Sequence, residues 1–129
     1  FFEGVAFNNR WLLAPVEQFL GRPLQEITMV GGGANSDVWC QVFADVLNRP
    51  IRQLADPIQA NVLGAAFIAF AGLGLIGFHD IPQIVRCKAT YTPRPETRQV
   101  YDSQFSEFVE LYKHNKAIYR RLNRAKAKK

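Results

Sequence analysis

Residues 27–47, ITMVGGGANSDVWCQVFADVL, set three consecutive glycines between a short apolar run and an amphipathic one. Glycine loses more conformational freedom on folding than any other residue, so a triple glycine suggests that something approaches the backbone closely there. Upstream, residues 26–30 (EITMV) are short, β-branched and apolar, as a buried strand should be. Downstream, Ser36 is placed to cap a helix, and Asp37 to meet its positive end. Val38, Val42 and Val46 recur every four residues, flanked by Trp39, Phe43 and Leu47. That spacing predicts a helix with a wide buried face. Asn48 and Pro50 stop it.

Outward from this centre, residues 1–20 read as helix, with a break or kink at Pro15, which has no N–H for the Trp11 carbonyl. Gly21 and Pro23 end that helix. Residues 51–54 suit a second short strand. Pro57 opens a helix over about residues 59–71, whose Gly64, Ala65, Ala66 and Ala69 let another backbone pack closely. With its flanks (residues 61–78) this is the most apolar part of the chain, and it reads as a buried helix followed by a loop. Asp80 is placed to cap a short helix to about Arg86, and residues 88–96 (KATYTPRPE) are extended. Thr92 or Pro93 introduces a long last helix. Its Tyr101, Phe105, Phe108, Tyr112, Asn115, Tyr119 and Leu122 form one apolar-aromatic seam at steps of four and three. The seam reads as packing, and it could also pair two copies as a homodimer.

Two strands do not make a stable parallel sheet, which needs several strands and both faces covered. Further strands are therefore expected upstream of Phe1. The first residue is Phe, the only methionine is Met29, and residues 1–13 look like helix interior without a cap. The chain is expected to be part of a longer one.

Composition narrows the function classes. The chain has 129 residues, 48% hydrophobic and 21% charged, the profile of a globular domain with a core. No run reaches the roughly 18 apolar residues of a membrane span. The net charge of +5 is local. Residues 111–129 hold eight Lys and Arg and no acid, so removing those eight charges turns +5 into −3. Lys113, Lys116, Arg120, Arg121, Arg124, Lys126, Lys128 and Lys129 could contact nucleic acid phosphates. The same charges at a helix C-terminus also suit the macrodipole, which is the simpler reading. Cys40 and Cys87 lie among apolar residues without histidines at metal spacing, and read as reduced, semi-buried thiols of a cytoplasmic protein. Asp37, Asp45 and Asp56 are isolated carboxylates: Asp37 a helix-start charge, Asp45 solvated or capping. His79 and His114 are single, in loop or surface positions.

A strand, then glycines, then a helix start is an arrangement suited to nucleotides, because the helix offers unpaired N–H groups and partial positive charge. The dinucleotide fingerprint is excluded, since Ser36 stands where its third glycine would be. The Walker loop is excluded, since the loop has no lysine. A tight strand-to-helix turn with no ligand remains the plain reading of the glycines alone.

Residues 3–13 (EGVAFNNRWLL), 27–51 (ITMVGGGANSDVWCQVFADVLNRPI), 60–74 (ANVLGAAFIAFAGLG) and 115–124 (NKAIYRRLNR) resemble the carboxyl-terminal part of sugar kinases of the FGGY group, xylulokinase-like members above all. The resemblance covers nearly the whole chain. It implies an α/β fold, a fragment of an actin-like, ribonuclease-H-like ATPase domain, helix-rich with two or so short strands. Residues 1–90 would be the C-terminal part of that ATP-binding domain. Residues 91–129 would add an extended segment and a long helix packed on it. The resemblance further implies ATP and Mg²⁺, with the γ-phosphoryl group passing to a small sugar such as D-xylulose or a related ketopentose. Gly31 and Gly32 would approach the ribose and α-phosphate, Gly33 and Ala34 would line the adenine, and Asn35 and Ser36 would be polar contacts near the base. Asn35 stands where xylulokinase-like members often carry a basic residue. Gln59 and Asn61 could face the nucleotide or cap their helix. The catalytic base and first phosphate loop are expected in the remainder of the parent chain, which leaves this fragment inactive alone. The competing class is a non-catalytic helical binding module whose basic tail contacts nucleic acid.

Overall fold

Helix α1 (Phe2–Leu20) runs through Pro15 instead of stopping there. The computed structural model describes residues 2–124, the side chain of Arg124 excepted. Strand β1 (Ile27–Met29) follows, then a 3₁₀ turn at Gly32–Asn35 and helix α2 (Asp37–Leu47). Next come β2 (Ile51–Leu54), a second 3₁₀ turn at Pro57–Gln59, α3 (Ala60–Gly72), and the four-residue α4 (Ile81–Ile84). Strand β3 (Cys87–Tyr91), a turn at Pro95–Thr97 and α5 (Arg98–Arg124) complete the described residues.

The sheet order is β1-β2-β3. β1 and β2 are parallel, with Ile27 opposite Ile51 and Met29 opposite Gln53, and α2 makes the crossover between them. β3 is antiparallel to β2, with Ile51 opposite Tyr91 and an irregularity between Gln53 and Leu54. The extended segment expected at residues 88–96 is thus partly a third strand. Its β-branched and aromatic content is modest, and the β2 edge that recruits it is remote in sequence.

α2 is the pivot of the packing. Its Val46 and Leu47 join Ala6 and Phe7 of α1 and Tyr101 of α5 in one core. Its Cys40 and Ala44 join Ile51 of β2 in another, flanked by Ile27, Met29 and Tyr91. The aromatic seam of α5 meets α1 over its first half: Phe7 lies 6.1 Å from Tyr101 and 5.7 Å from Phe108, and Trp11 lies 4.9 Å from Tyr112, ring centre to ring centre. Such pairs contribute about 0.5–1.5 kcal/mol each beyond burial. Arg10 and Asp102 form an ion pair beside them, with the guanidinium of Arg10 4.4 Å over the Phe105 ring. Beyond Tyr112 the seam is open, and Tyr119 and Leu122 are exposed. The termini of the basic-tail reading, Lys126, Lys128 and Lys129, lie outside the described residues.

Three expectations are corrected. α3 contains no buried residue, although it is apolar on every side; Val62, Ile68 and Phe70 are exposed because no described element covers that helix. Asp80 does not cap α4 through its side chain; its Oδ2 accepts the N–H of Gly77 at 2.8 Å. Cys87 is exposed, while Cys40 is fully buried, and burial pushes its thiol up, away from the reactive thiolate.

The fourth correction matters most for the fold. Asp45 is neither solvated nor a cap: it is 2% exposed. Its Oδ2 accepts Arg94 Nε at 3.0 Å and Nη2 at 2.7 Å. Its Oδ1 accepts the Arg94 backbone N–H at 2.8 Å and Gln41 Nε2 at 2.9 Å. Gln41 also reaches the Thr92 carbonyl at 2.9 Å. A buried carboxylate persists only when so fully paired, and this one ties the lead-in of α5 to α2. Asp45→Ala removes the acceptor and leaves the Arg94 N–H unpaired. It is expected to lower the unfolding free energy by about 2 kcal/mol, and Asp45→Asn by less, both measured by urea denaturation.

Candidate nucleotide-binding site

The glycine segment leaves β1 through Gly31, whose φ of 85° and ψ of −176° belong to a region that only glycine enters readily. Its N–H donates to the Pro57 carbonyl at 2.7 Å, which joins the first 3₁₀ turn to the second. Within the turn, Ala34 N–H bonds the Gly31 carbonyl at 3.1 Å and Ser36 N–H bonds the Gly33 carbonyl at 3.2 Å. Gly33 has a local reason to lack a side chain. The six-membered ring of Trp39 lies against it, and a Cβ there would fall inside the ring's contact distance. Ser36 caps α2 as expected, its Oγ accepting Trp39 N–H at 3.2 Å. Trp39 in turn packs edge-on to Phe43 at 5.7 Å.

The six residues singled out in the sequence are therefore brought together on one turn but do different things. Gly32 and Asn35 are exposed, and Gly31, Gly33 and Ser36 are half-buried. The N–H groups of Gly32 and Gly33 find no acceptor among the described residues. Ala34 is fully buried, so only its backbone can shape a ligand surface. Its carbonyl points inward, accepting Gln53 Nε2 at 2.6 Å and the Cys40 thiol at 3.7 Å.

Between the two turns lies a hollow of about 190 Å³, lined by Asn35, Ala55, Asp56, Pro57, Ile58 and Gln59. The side chains of Asn35, Asp56 and Gln59 make no hydrogen bond to any described residue. Of the two positions left open in the sequence, Gln59 thus faces the hollow without capping α3, while Asn61 is exposed on the first turn of α3. Asp56 and Pro57 were not foreseen as part of this place. The Gly31–Pro57 bond that brings them there leaves no trace in local sequence.

Asp37, the first residue of α2, accepts Lys88 Nζ at 2.8 Å and Gln53 Nε2 at 2.9 Å through one oxygen. The Lys88 ammonium above all, then the Gln53 amide, hold its carboxyl down at about 2. Its charge at the positive end of α2 agrees with the expectation, with a strand-borne lysine added.

Residues 1–73 match the family model described as "FGGY family of carbohydrate kinases, C-terminal domain". The chain belongs to the FGGY family of carbohydrate kinases. It is 30% identical to the autoinducer-2 kinase of Enterobacter sp. (strain 638) over 85% of its own length and 21% of that protein. It is 30% identical to the xylulose kinase of Bacillus subtilis (strain 168) over 90% of its length and 23% of that protein. The crystal structure of xylulose kinase from Rhodospirillum rubrum superposes with a TM-score of 0.73 at 33% identity, covering 92% of this chain and 24% of that one. The chain thus spans less than a quarter of the FGGY kinases just named. Its helix-rich α/β architecture is that of the actin-like, ribonuclease-H-like fold of these FGGY kinases.

Adjacent glycines separate conformation from space. Gly31→Ala is expected to cost about 1–3 kcal/mol of stability, the range for a backbone forced into a glycine-only region. Gly32→Ala is expected to be nearly neutral, since a Cβ there meets nothing within 4 Å and its φ is ordinary. Thermal denaturation of the two variants checks the contrast. The Asp37 carboxyl gives a pH prediction. Its folded pKa lies below the unfolded value near 3.9, so its contribution is complete above that value and lost as pH falls through about 2. Lys88→Met should move the carboxyl titration, followed by carbon-13 NMR, upward toward the unfolded value.

Proposed function

We propose that this chain is the adenosine-holding part of an ATP-dependent carbohydrate kinase. The observation that carries the reading is the exposed glycine turn. Its Gly32 and Gly33 N–H groups find no acceptor among the described residues, and it opens beside a hollow lined by three polar side chains without a hydrogen bond to any described residue. Free backbone N–H groups suit phosphate oxygens, and the neighbouring N-terminus of α2 adds partial positive charge. Gly32, where the space a Cβ would take has nothing within 4 Å, lets a ribose or phosphate reach the backbone. Asn35, Asp56 and Gln59 offer donors and acceptors to base and ribose. Ser36 and Ala34 act from behind, by capping α2 and by packing.

In this reading the γ-phosphoryl group passes from ATP to a sugar hydroxyl. The bond from the γ-phosphorus to the bridging oxygen breaks, the bond to the sugar oxygen forms, and a base takes the hydroxyl proton. That base and the sugar contacts belong to the rest of the kinase, so this chain alone is inactive. Mg²⁺ enters with the nucleotide's phosphates. The described residues bring no group of three or more His, Cys, Asp or Glu together, so no residue of this chain is assigned to the ion. In this reading residues 1–90 are the nucleotide side and residues 91–129 an added segment, a division supported by the rings of the first half of α5 against α1 and by the Asp45–Arg94 tie. The exposed apolar α3 suits a helix that the remaining kinase covers. D-Xylulose or a related ketopentose is the proposed acceptor, supported by the xylulose kinases among the relatives. A cytoplasmic location is proposed with it. No helix among the described residues is long and apolar enough to cross a membrane.

The test uses the full-length kinase that carries this segment. Gly32→Val should abolish binding of a fluorescent ATP analogue without lowering the melting temperature. Wild-type affinity in that variant rejects the reading. Strong, salt-dependent binding of duplex DNA, lost on truncation after Asn123, would favour the binding-module class instead.

A further inference from the structure

Strand β2 alternates in burial, and the inward residue after Ile51 is not apolar but Gln53, 1% exposed. A buried primary amide is costly unless all its groups are paired. Here they are. Nε2 donates to the Ala34 carbonyl at 2.6 Å and to Asp37 Oδ1 at 2.9 Å, and Oε1 accepts the Tyr91 hydroxyl at 3.1 Å. The reverse orientation would set an oxygen against a carbonyl and a carboxylate, so the partners themselves determine which way the amide faces. One side chain thereby joins the glycine turn, the start of α2 and, through Tyr91, β3.

The consequence for the turn is geometric. A peptide unit is planar, so holding the Ala34 carbonyl inward sets the plane that leads into Asn35. Asn35 lines the hollow, and the N–H groups of Gly32 and Gly33, without an acceptor among the described residues, sit two residues and one residue before Ala34. We infer that Gln53 is a positioning residue for nucleotide binding: by gripping the Ala34 carbonyl it sets the height at which the glycine turn meets its ligand. The inference rests on the nucleotide-site reading above and adds to it a residue that touches no ligand.

The experiment titrates the full-length kinase with TNP-ATP, a fluorescent ATP analogue, and reads both the dissociation constant and the number of sites per chain. Gln53→Met keeps the volume and loses the hydrogen bonds. It should raise the Kd about tenfold while the number of sites stays at the wild-type value. Gln53→Glu should weaken binding further at neutral pH, since an ionised carboxylate then faces a carbonyl and Asp37. That excess should shrink as pH falls and the acid can donate. Tyr91→Phe frees the amide oxygen and should act in the same direction, more weakly. A residue with a merely structural role behaves differently: sites per chain and melting temperature fall while Kd is unchanged, and this result overturns the inference. If Gln53→Met yields no folded protein, Tyr91→Phe decides, and an unchanged Kd there overturns the inference as well. The two levels separate cleanly. Intact TNP-ATP binding in Gly32→Val removes the nucleotide reading itself. Binding lost in Gly32→Val but unaltered in Gln53→Met and Tyr91→Phe removes only the role of Gln53.

Discussion

The hydrogen bond from Gln53 to the Ala34 carbonyl is the constraint on which the centre of this structure depends. A strand that must turn at once into a helix leaves backbone groups facing inward, where water cannot serve them. Ala34 is the residue that goes inside, and without a donor rising from the sheet its carbonyl would keep only the long contact from the Cys40 thiol. With that donor in place, Gly33 can lie against Trp39, Ser36 can cap α2, and Asp37 can meet Lys88 across the turn. The glycines then serve two purposes. Gly31 supplies a backbone conformation and Gly33 makes room for a ring, whereas Gly32 serves neither and faces outward. The absence of a structural reason at Gly32 is what makes it the informative glycine for function.

α2 carries the rest. It divides its apolar residues between a helical core shared with α1 and α5 and a sheet-facing core around Ile51. The turn at its start is therefore braced from two directions. Asp45, on the same helix, extends the bracing to the segment that leads into α5. It accepts from both the backbone and the guanidinium of Arg94 and so settles where α5 begins.

Membership in the FGGY family bears on one of the unpartnered surfaces, helix α3. An all-apolar helix such as α3 belongs inside a larger body. The relatives that this chain matches are more than four times the length matched. The exposed second half of the α5 seam is a different case. Its Tyr119 and Leu122 are exposed among the basic residues Lys116, Arg120 and Arg121 of the same turns.

The sequence alone determined every element whose cause is local. The strand before the glycines, the Ser36 cap, the periodicity of α2 and its stop at Asn48, whose φ is 52°, all follow from neighbours within four residues. So does the placement of residues 31–36 on one strand-to-helix turn. What only the tertiary structure decided has a single physical reason: its causes are hydrogen bonds between residues far apart in the chain. Gln53 is given its place by Ala34, Asp37 and Tyr91, which surround its amide. Asp45 looked solvated until Arg94, 49 residues on, closed over it. The extended segment at residues 88–96 becomes in part β3 because β2 offers an edge, and the hollow beside the turn exists because Gly31 reaches the Pro57 carbonyl. Periodicity and propensity describe how a segment relates to itself. Burial of a polar group is a bargain struck with a distant partner, and no local pattern carries it.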